Sequence, residues 1–123
     1  MKKHYLSSEI TKGPYSGAWE ANGFVYVSGQ IHQNEKGEVI GETIEEKLDL
    51  IMTNIKKILA EANLTLADVI RVHVFITDIS QLPAMNAAYM TYFNHPLPAR
   101  TAIGVSALPR GASLEIEAIA VRS

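Results

Sequence analysis

Cysteine is absent from the 123 residues, which removes disulfides, thiolate nucleophiles, iron–sulfur clusters and cysteine-based zinc sites in one step. Long apolar runs are missing too: nothing approaches the ~18 consecutive apolar residues of a membrane-spanning helix. There is no basic excess, since 11 Lys and Arg stand against 13 Asp and Glu for a net charge of −2. A protein that grips nucleic acid by releasing counterions carries the opposite balance. No basic run with interleaved aromatics supplies a local groove either, which argues against a nucleic-acid partner. The 8 glycines and 5 prolines form no repeat, linker or phosphate-cradling motif. With 47% hydrophobic and 20% charged residues, the composition matches an ordinary globular domain, and a single domain over residues 1–123 is expected. After Met1-Lys2-Lys3 come His4, Ser7, Ser8 and Glu9, where a signal peptide would carry an apolar run. A soluble, cytoplasmic protein is the expectation.

The chain divides by its turns and periods. Asn22-Gly23, between Gly17-Ala18-Trp19-Glu20 and Phe24-Val25-Tyr26-Val27-Ser28-Gly29-Gln30, is a strong hairpin signal. From Thr43 the period becomes helical: Ile44, Leu48, Ile51, Met52, Ile55, Ile58 and Leu59 recur at three- and four-residue steps. Thr43 with Glu46 matches a capping box, and Asn63 is the expected C-terminal cap. Val69–Thr77 reads as a strand with Ile70, Val72, Val74 and Ile76 inward, and Leu82–Phe93 as a second helix. Two strands, about 99–106 and 113–122, flank the turn Leu108-Pro109-Arg110-Gly111. The order β-β-α-β-α-β-β predicts an α+β fold with both helices on one face of a mostly antiparallel sheet. The opposite face would mix apolar bulk (Phe75, Ile119, Val121) with Glu115 and Glu117, the pattern of a self-association surface.

Few residues invite chemistry. His4, His32, His73 and His95 match no metal-ligand spacing, so no metal is expected. Ser28 lacks the frame of a nucleophile elbow; Gly29 beside it relaxes the backbone or offers an N–H to a ligand. Arg100 opens the apolar strand Thr101-Ala102-Ile103-Gly104-Val105. Two readings stay open for it: a salt bridge to Glu115 or Glu117 on an adjacent strand, or a planar fork for a ligand carboxylate.

Taken together, Gly13-Pro14-Tyr15-Ser16, Val27-Ser28-Gly29-Gln30, Met85-Asn86-Ala87-Ala88-Tyr89, Pro98-Ala99-Arg100-Thr101 and Leu108-Pro109 with Glu115-Ile116-Glu117-Ala118 resemble the Rid family in order and spacing. These are the YjgF-type reactive intermediate deaminases, and the resemblance covers essentially the whole chain. It implies a chorismate-mutase-like fold and a homotrimer whose sheets form a central barrel, with active sites between subunits. It also implies hydrolysis of 2-iminobutanoate and 2-iminopropanoate, released by pyridoxal-phosphate-dependent dehydratases, to 2-oxo acids and ammonia without a cofactor. By position, Arg100 would grip the substrate carboxylate and Glu115 would activate water. Tyr15, Ser28 and Asn86 would line the pocket, with the N–H groups of Gly29 and Ala102 on the ligand. His32 and Gly17 depart from residues common in the family, as do Lys47-Leu48 and the short 94–97 connection, so the preferred imine is left open. A non-catalytic regulator that binds small carboxylates on the same fold is the alternative. An endoribonuclease or translation inhibitor fits the charge less well.

Overall fold

A computed structural model describes residues 2–123. Its first strand, β1 (Lys2–Tyr5), has no counterpart in the expected order: three exposed residues precede one buried tyrosine, a pattern without alternation. It pairs antiparallel with β2 (Ala18–Ala21). The Asn22-Gly23 turn, with φ of 52° and 81°, has the two positive values of a type I′ hairpin and leads into β3 (Phe24–Ile31).

Helix α1 (Ile44–Glu61) starts where the sequence predicts. Thr43 Oγ1 accepts the Glu46 N–H at 3.1 Å and its hydroxyl donates to the Glu46 carboxylate at 3.3 Å, so the box closes on the hydroxyl. All seven periodic residues are buried. At the far end Ala62 is the cap and Asn63 the left-handed residue beyond it (φ 59°). Leu64 N–H bonds to Leu59 O and Asn63 N–H to Ala60 O, which makes a Schellman motif.

Strand β4 (Val69–Ile76) carries a bulge: Val69 and Arg71 face the successive residues Ala120 and Ile119 of the last strand. The extra residue is Ile70, which is exposed while Val69 is buried. The strict alternation that placed Ile70 inward fails for that reason. Helix α2 (Leu82–Tyr89) stops four residues short of Phe93. Beyond it Thr91 and Tyr92 N–H bond three residues back, and the Thr91 hydroxyl donates to Ala88 O at 2.7 Å, competing for a helix carbonyl.

Strands β5 (Ala99–Gly104) and β6 (Leu114–Val121) complete a six-stranded mixed sheet of order β1-β2-β3-β6-β4-β5. Only β4 and β5 pair in parallel; β6 runs antiparallel between β3 and β4. The β3-α1-β4 and β4-α2-β5 crossovers advance in the same direction across the sheet. A common right-handedness therefore puts both helices on one face. The fold is α+β, as expected.

Under the helices, Val25, Val27, Val72, Val74, Leu114, Ile116 and Ala118 meet Leu48, Ile51, Met52, Ile55 and Leu59 in one core. The other face is open. Trp19, Tyr26 and Ile119 stand side by side across it, and the two aromatics are 47% and 49% exposed. Beside them Arg71 donates to His73 Nε2 (3.1 Å) and Thr101 Oγ1 (2.8 Å). An acceptor at Nε2 puts the His73 proton on Nδ1, which faces Glu117 Oε2 at 3.8 Å.

Candidate functional site

The bulge in β3 builds the first part of the site. Val27 faces Ala118 and Gln30 faces Ile116, so Ser28 and Gly29 occupy the space of one residue. The extra residue reverses the inside–outside alternation, burying Gln30 and bringing Ile31 level with Glu115. Ser28 is fixed twice: its N–H donates to Gly17 O at 2.9 Å and its hydroxyl to Ser16 O at 2.7 Å. Gly29 is needed for space. A Cβ there would lie 3.0 Å from Glu115 Cδ and closer still to Oε2, so the carboxylate rests against the bare α-carbon.

Glu115 points from β6 into a cleft of about 750 Å³ that Tyr15, Ser28 and Gly29 also line. Burial raises the Glu115 pKa above the ordinary carboxylate value, and the negative charge of Glu117 raises it further. A carboxyl whose pKa is raised in a cleft is a candidate proton carrier. Four of the sequence-predicted residues therefore meet in one place.

Arg100, Asn86 and Ala102 do not join them. Arg100 stands level with Val72, Ala118 and Val27, all buried under the helices, whereas Glu115 is level with Phe75 and Ile103 on the open face. The salt-bridge reading for Arg100 is excluded, because β4 intervenes between β5 and β6. Its guanidinium carbon instead sits 4.9 Å from the centre of the Tyr89 ring, a cation–π contact. Asn86, one turn earlier on α2, has a buried Oδ1 with no hydrogen-bond partner among the described residues, and so does the Tyr89 hydroxyl. Two buried polar atoms on α2, one of them on the ring that Arg100 covers, thus lack partners among the described residues.

Sequence reasoning missed other lining residues. Lys12, Gln33, Lys36 and Arg110 share the Glu115 cleft. Arg110 lay in a segment read only as a turn; its φ of 58° is visible only in the structure. Tyr89 closed the Met85-Asn86-Ala87-Ala88-Tyr89 segment without being given a place in the site. His32, a departure from the family pattern, is a structural brace: Nδ1 donates to Ile40 O at 2.7 Å and Nε2 accepts the Ser113 N–H at 3.0 Å. Among the described residues no group of three or more His, Asp or Glu is placed to hold a metal ion, and no helix is long and apolar enough to cross a membrane.

Comparison with known proteins identifies the family and the fold. The yeast mitochondrial protein Mmf1 is 41% identical over 107 residues, covering 87% of this chain and 74% of that protein. The crystal structure of yeast Mmf1 superposes with a TM-score of 0.92 at 36% identity, covering all of both chains. A 2-iminobutanoate/2-iminopropanoate deaminase of Dermatophagoides farinae is 36% identical over 110 residues, 89% of this chain and 86% of the relative. The structure of E. coli TdcF with bound serine has a TM-score of 0.89 at 33% identity, covering 98% of this chain and 100% of the other. The family model described as Endoribonuclease L-PSP matches residues 6–122, and with it the chain belongs to the Rid/YjgF family.

Proposed function

We propose that the protein hydrolyses small 2-imino acids, 2-iminobutanoate and 2-iminopropanoate, to the 2-oxo acids and ammonia. The observation that carries this reading is Glu115, a half-buried carboxyl of raised pKa held against Gly29 in a cleft with Ser28 and Tyr15. A deaminase of this specificity among the relatives supports it, as does a serine-bound structure of similar fold. A single domain over residues 1–123, acting in the cytoplasm where dehydratases release the imines, is part of the same reading.

The two groups of residues complement one another chemically. A second copy of the chain, packed on the open sheet face, would bring its Arg100, Asn86 and Ala102 to the Glu115 cleft of the first. A cyclic trimer repeats that contact three times and leaves no surface unpaired. Arg100 then holds the substrate carboxylate as a bidentate fork. The N–H groups of Gly29 and Ala102 steady the ligand. Glu115 takes a proton from water as its oxygen bonds to C2. It returns that proton to nitrogen and, as the C–N bond breaks and ammonia leaves, takes up the C2 hydroxyl proton so that the carbonyl of the 2-oxo acid forms. A protonated C=N is already electrophilic, so positioning and one proton carrier suffice.

The test is a coupled assay in which a threonine dehydratase generates 2-iminobutanoate and semicarbazide traps what survives. Wild type is expected to deplete the imine, and Arg100→Ala to lose about 10²–10³ in kcat/KM, roughly 3–4 kcal/mol of transition-state stabilisation. No acceleration by folded wild-type protein would sink the enzyme reading and favour a carboxylate-binding regulator.

A further inference from the structure

Arg110, Lys12 and Lys36 all line the cleft that holds Glu115. None of them meets a carboxylate. The ion pairs among the described residues are Lys57–Glu35 and Arg122–Glu20, and His73 Nδ1 faces Glu117. Three positive charges thus converge on a cavity whose lining includes one acidic residue, Glu115.

Their placement is built rather than loose. Gly37, with φ of 79°, anchors two of them. The Lys12 stem lies across it, so that a Cβ on Gly37 would stand 3.3 Å from Lys12 Cγ and 3.6 Å from Cε. The Gly37 carbonyl accepts a hydrogen bond from Arg110 Nη2. Arg110 Nη1 donates to Gln33 Oε1 at 2.9 Å. Gln33 is itself buried and fixed by its amide, which donates to Ile10 O at 3.1 Å. Both acceptors on Arg110 are neutral, so its charge stays uncompensated. Its backbone adopts the left-handed region (φ 58°, ψ 26°), unfavourable for a residue with a Cβ. Backbone outliers of this kind collect at ligand clamps. Lys36 immediately precedes Gly37, and its N–H is tied to Asn34 Oδ1 at 3.0 Å.

We propose that Arg110, Lys12 and Lys36 form a second anion subsite on the Glu115 cleft, and that the ligands it selects are 2-imino and 2-oxo acids whose side chain ends in a second carboxylate. The proposal rests on the imine-hydrolase reading for its α-imino acid half, with Arg100 of a second copy on the first carboxylate. A four-carbon monoacid ends in a methyl group and leaves the three cations repelling one another. A dicarboxylic ligand neutralises them, and the free N–H groups of Arg110 offer its carboxylate charge-assisted hydrogen bonds.

The experiment measures binding of 2-oxoglutarate and 2-oxobutanoate to the native assembly by calorimetry, for wild type and for Lys12→Gln/Lys36→Gln, which spares the Arg110 contacts to Gln33 and Gly37. Wild type is expected to prefer the diacid about tenfold, with the preference falling to about twofold or less in the double variant. Equal binding of the two acids by wild type, or an unchanged preference in the double variant, overturns the subsite. Turnover of 2-iminoglutarate and 2-iminobutanoate is followed in parallel. If neither imine is hydrolysed while the preference for the diacid holds, the hydrolase reading falls and the subsite stands.

Discussion

Arg100 and Glu115 project from opposite faces of one sheet, with β4 between their strands. Arg100 is packed on Tyr89 beneath the helices, whereas Glu115 lies against Gly29 at the open face. One ligand therefore engages both only when two copies of the chain contribute, one with each face.

That split makes complementation a sharp test. Arg100→Ala and Glu115→Gln should each be nearly inactive, but chains mixed 1:1, unfolded and reassembled together should recover about a quarter of wild-type activity. Random assembly pairs an intact Arg100 with an intact neighbouring Glu115 in that fraction of sites. No recovery in a mixture shown to contain hybrid trimers would place both groups of each working site in one chain.

The acid limb of the pH–rate profile should report Glu115, because its ionised form takes the proton from water and that fraction grows as pH rises through the pKa. Burial and the charge of Glu117 both raise that pKa. Glu117→Gln removes one of the two, so the limb should move to lower pH while staying above the ordinary carboxylate value. A limb that moved upward or not at all would assign the titration elsewhere.

Gly29→Ala tests the close approach of the carboxylate. The added methyl cannot coexist with Glu115 in its present position. Displacing the side chain should lower kcat/KM about tenfold or more, whereas stability should change by less than about 1 kcal/mol, since the flexible carboxylate can swing into the cleft. Denaturant unfolding and steady-state kinetics separate the two effects.

His32 should make stability fall on acidification. Burial depresses its pKa, and both ring nitrogens are engaged in the neutral form. The unfolded chain takes up the proton near pH 6.5, while the folded protein does so only at lower pH. The contribution is full above about 6.5 and shrinks as pH falls through the folded pKa. His32→Gln should flatten the drop in unfolding free energy between pH 7 and 5, measured by denaturant titration at each pH.

A second stability prediction concerns Glu20. Arg122 grips it with two hydrogen bonds (Nε to Oε2 at 3.0 Å, Nη2 to Oε1 at 2.9 Å) and the Tyr5 hydroxyl adds a third at 2.9 Å. Arg122 first, then Tyr5, lowers the Glu20 pKa to about 2. The depressed value means this contribution is present above the unfolded carboxylate pKa near 4.3 and is lost as pH falls toward 2. Glu20→Gln should cost about 1–2 kcal/mol at pH 7, since the network lies partly exposed, and markedly less at pH 2, where half of the folded carboxylate is protonated.

How much was legible in advance follows from the range of each interaction. The Asn22-Gly23 turn, the Thr43 cap and the seven-residue stripe of α1 depend on neighbours a few positions away, and each formed where the sequence predicts. The edge strand β1 did not announce itself, because it buries one residue and its partner β2 lies thirteen residues further on. Ile70 was misplaced because a bulge is set by the register with β6, some fifty residues away.

The site divides in the same way. Residue type alone was enough to single out Arg100, a guanidinium at the mouth of an apolar strand, whereas Glu115 was singled out only by the resemblance to the Rid family. Tertiary structure decided that β6 inserts between β3 and β4, and the register along β4 set Arg100 beside Val72 under the helices and Glu115 beside Phe75 on the open face. It also decided that Lys12, Lys36 and Arg110 share one cleft. Sheet order and loop convergence are set by which distant surfaces bury one another, and no local pattern encodes that choice.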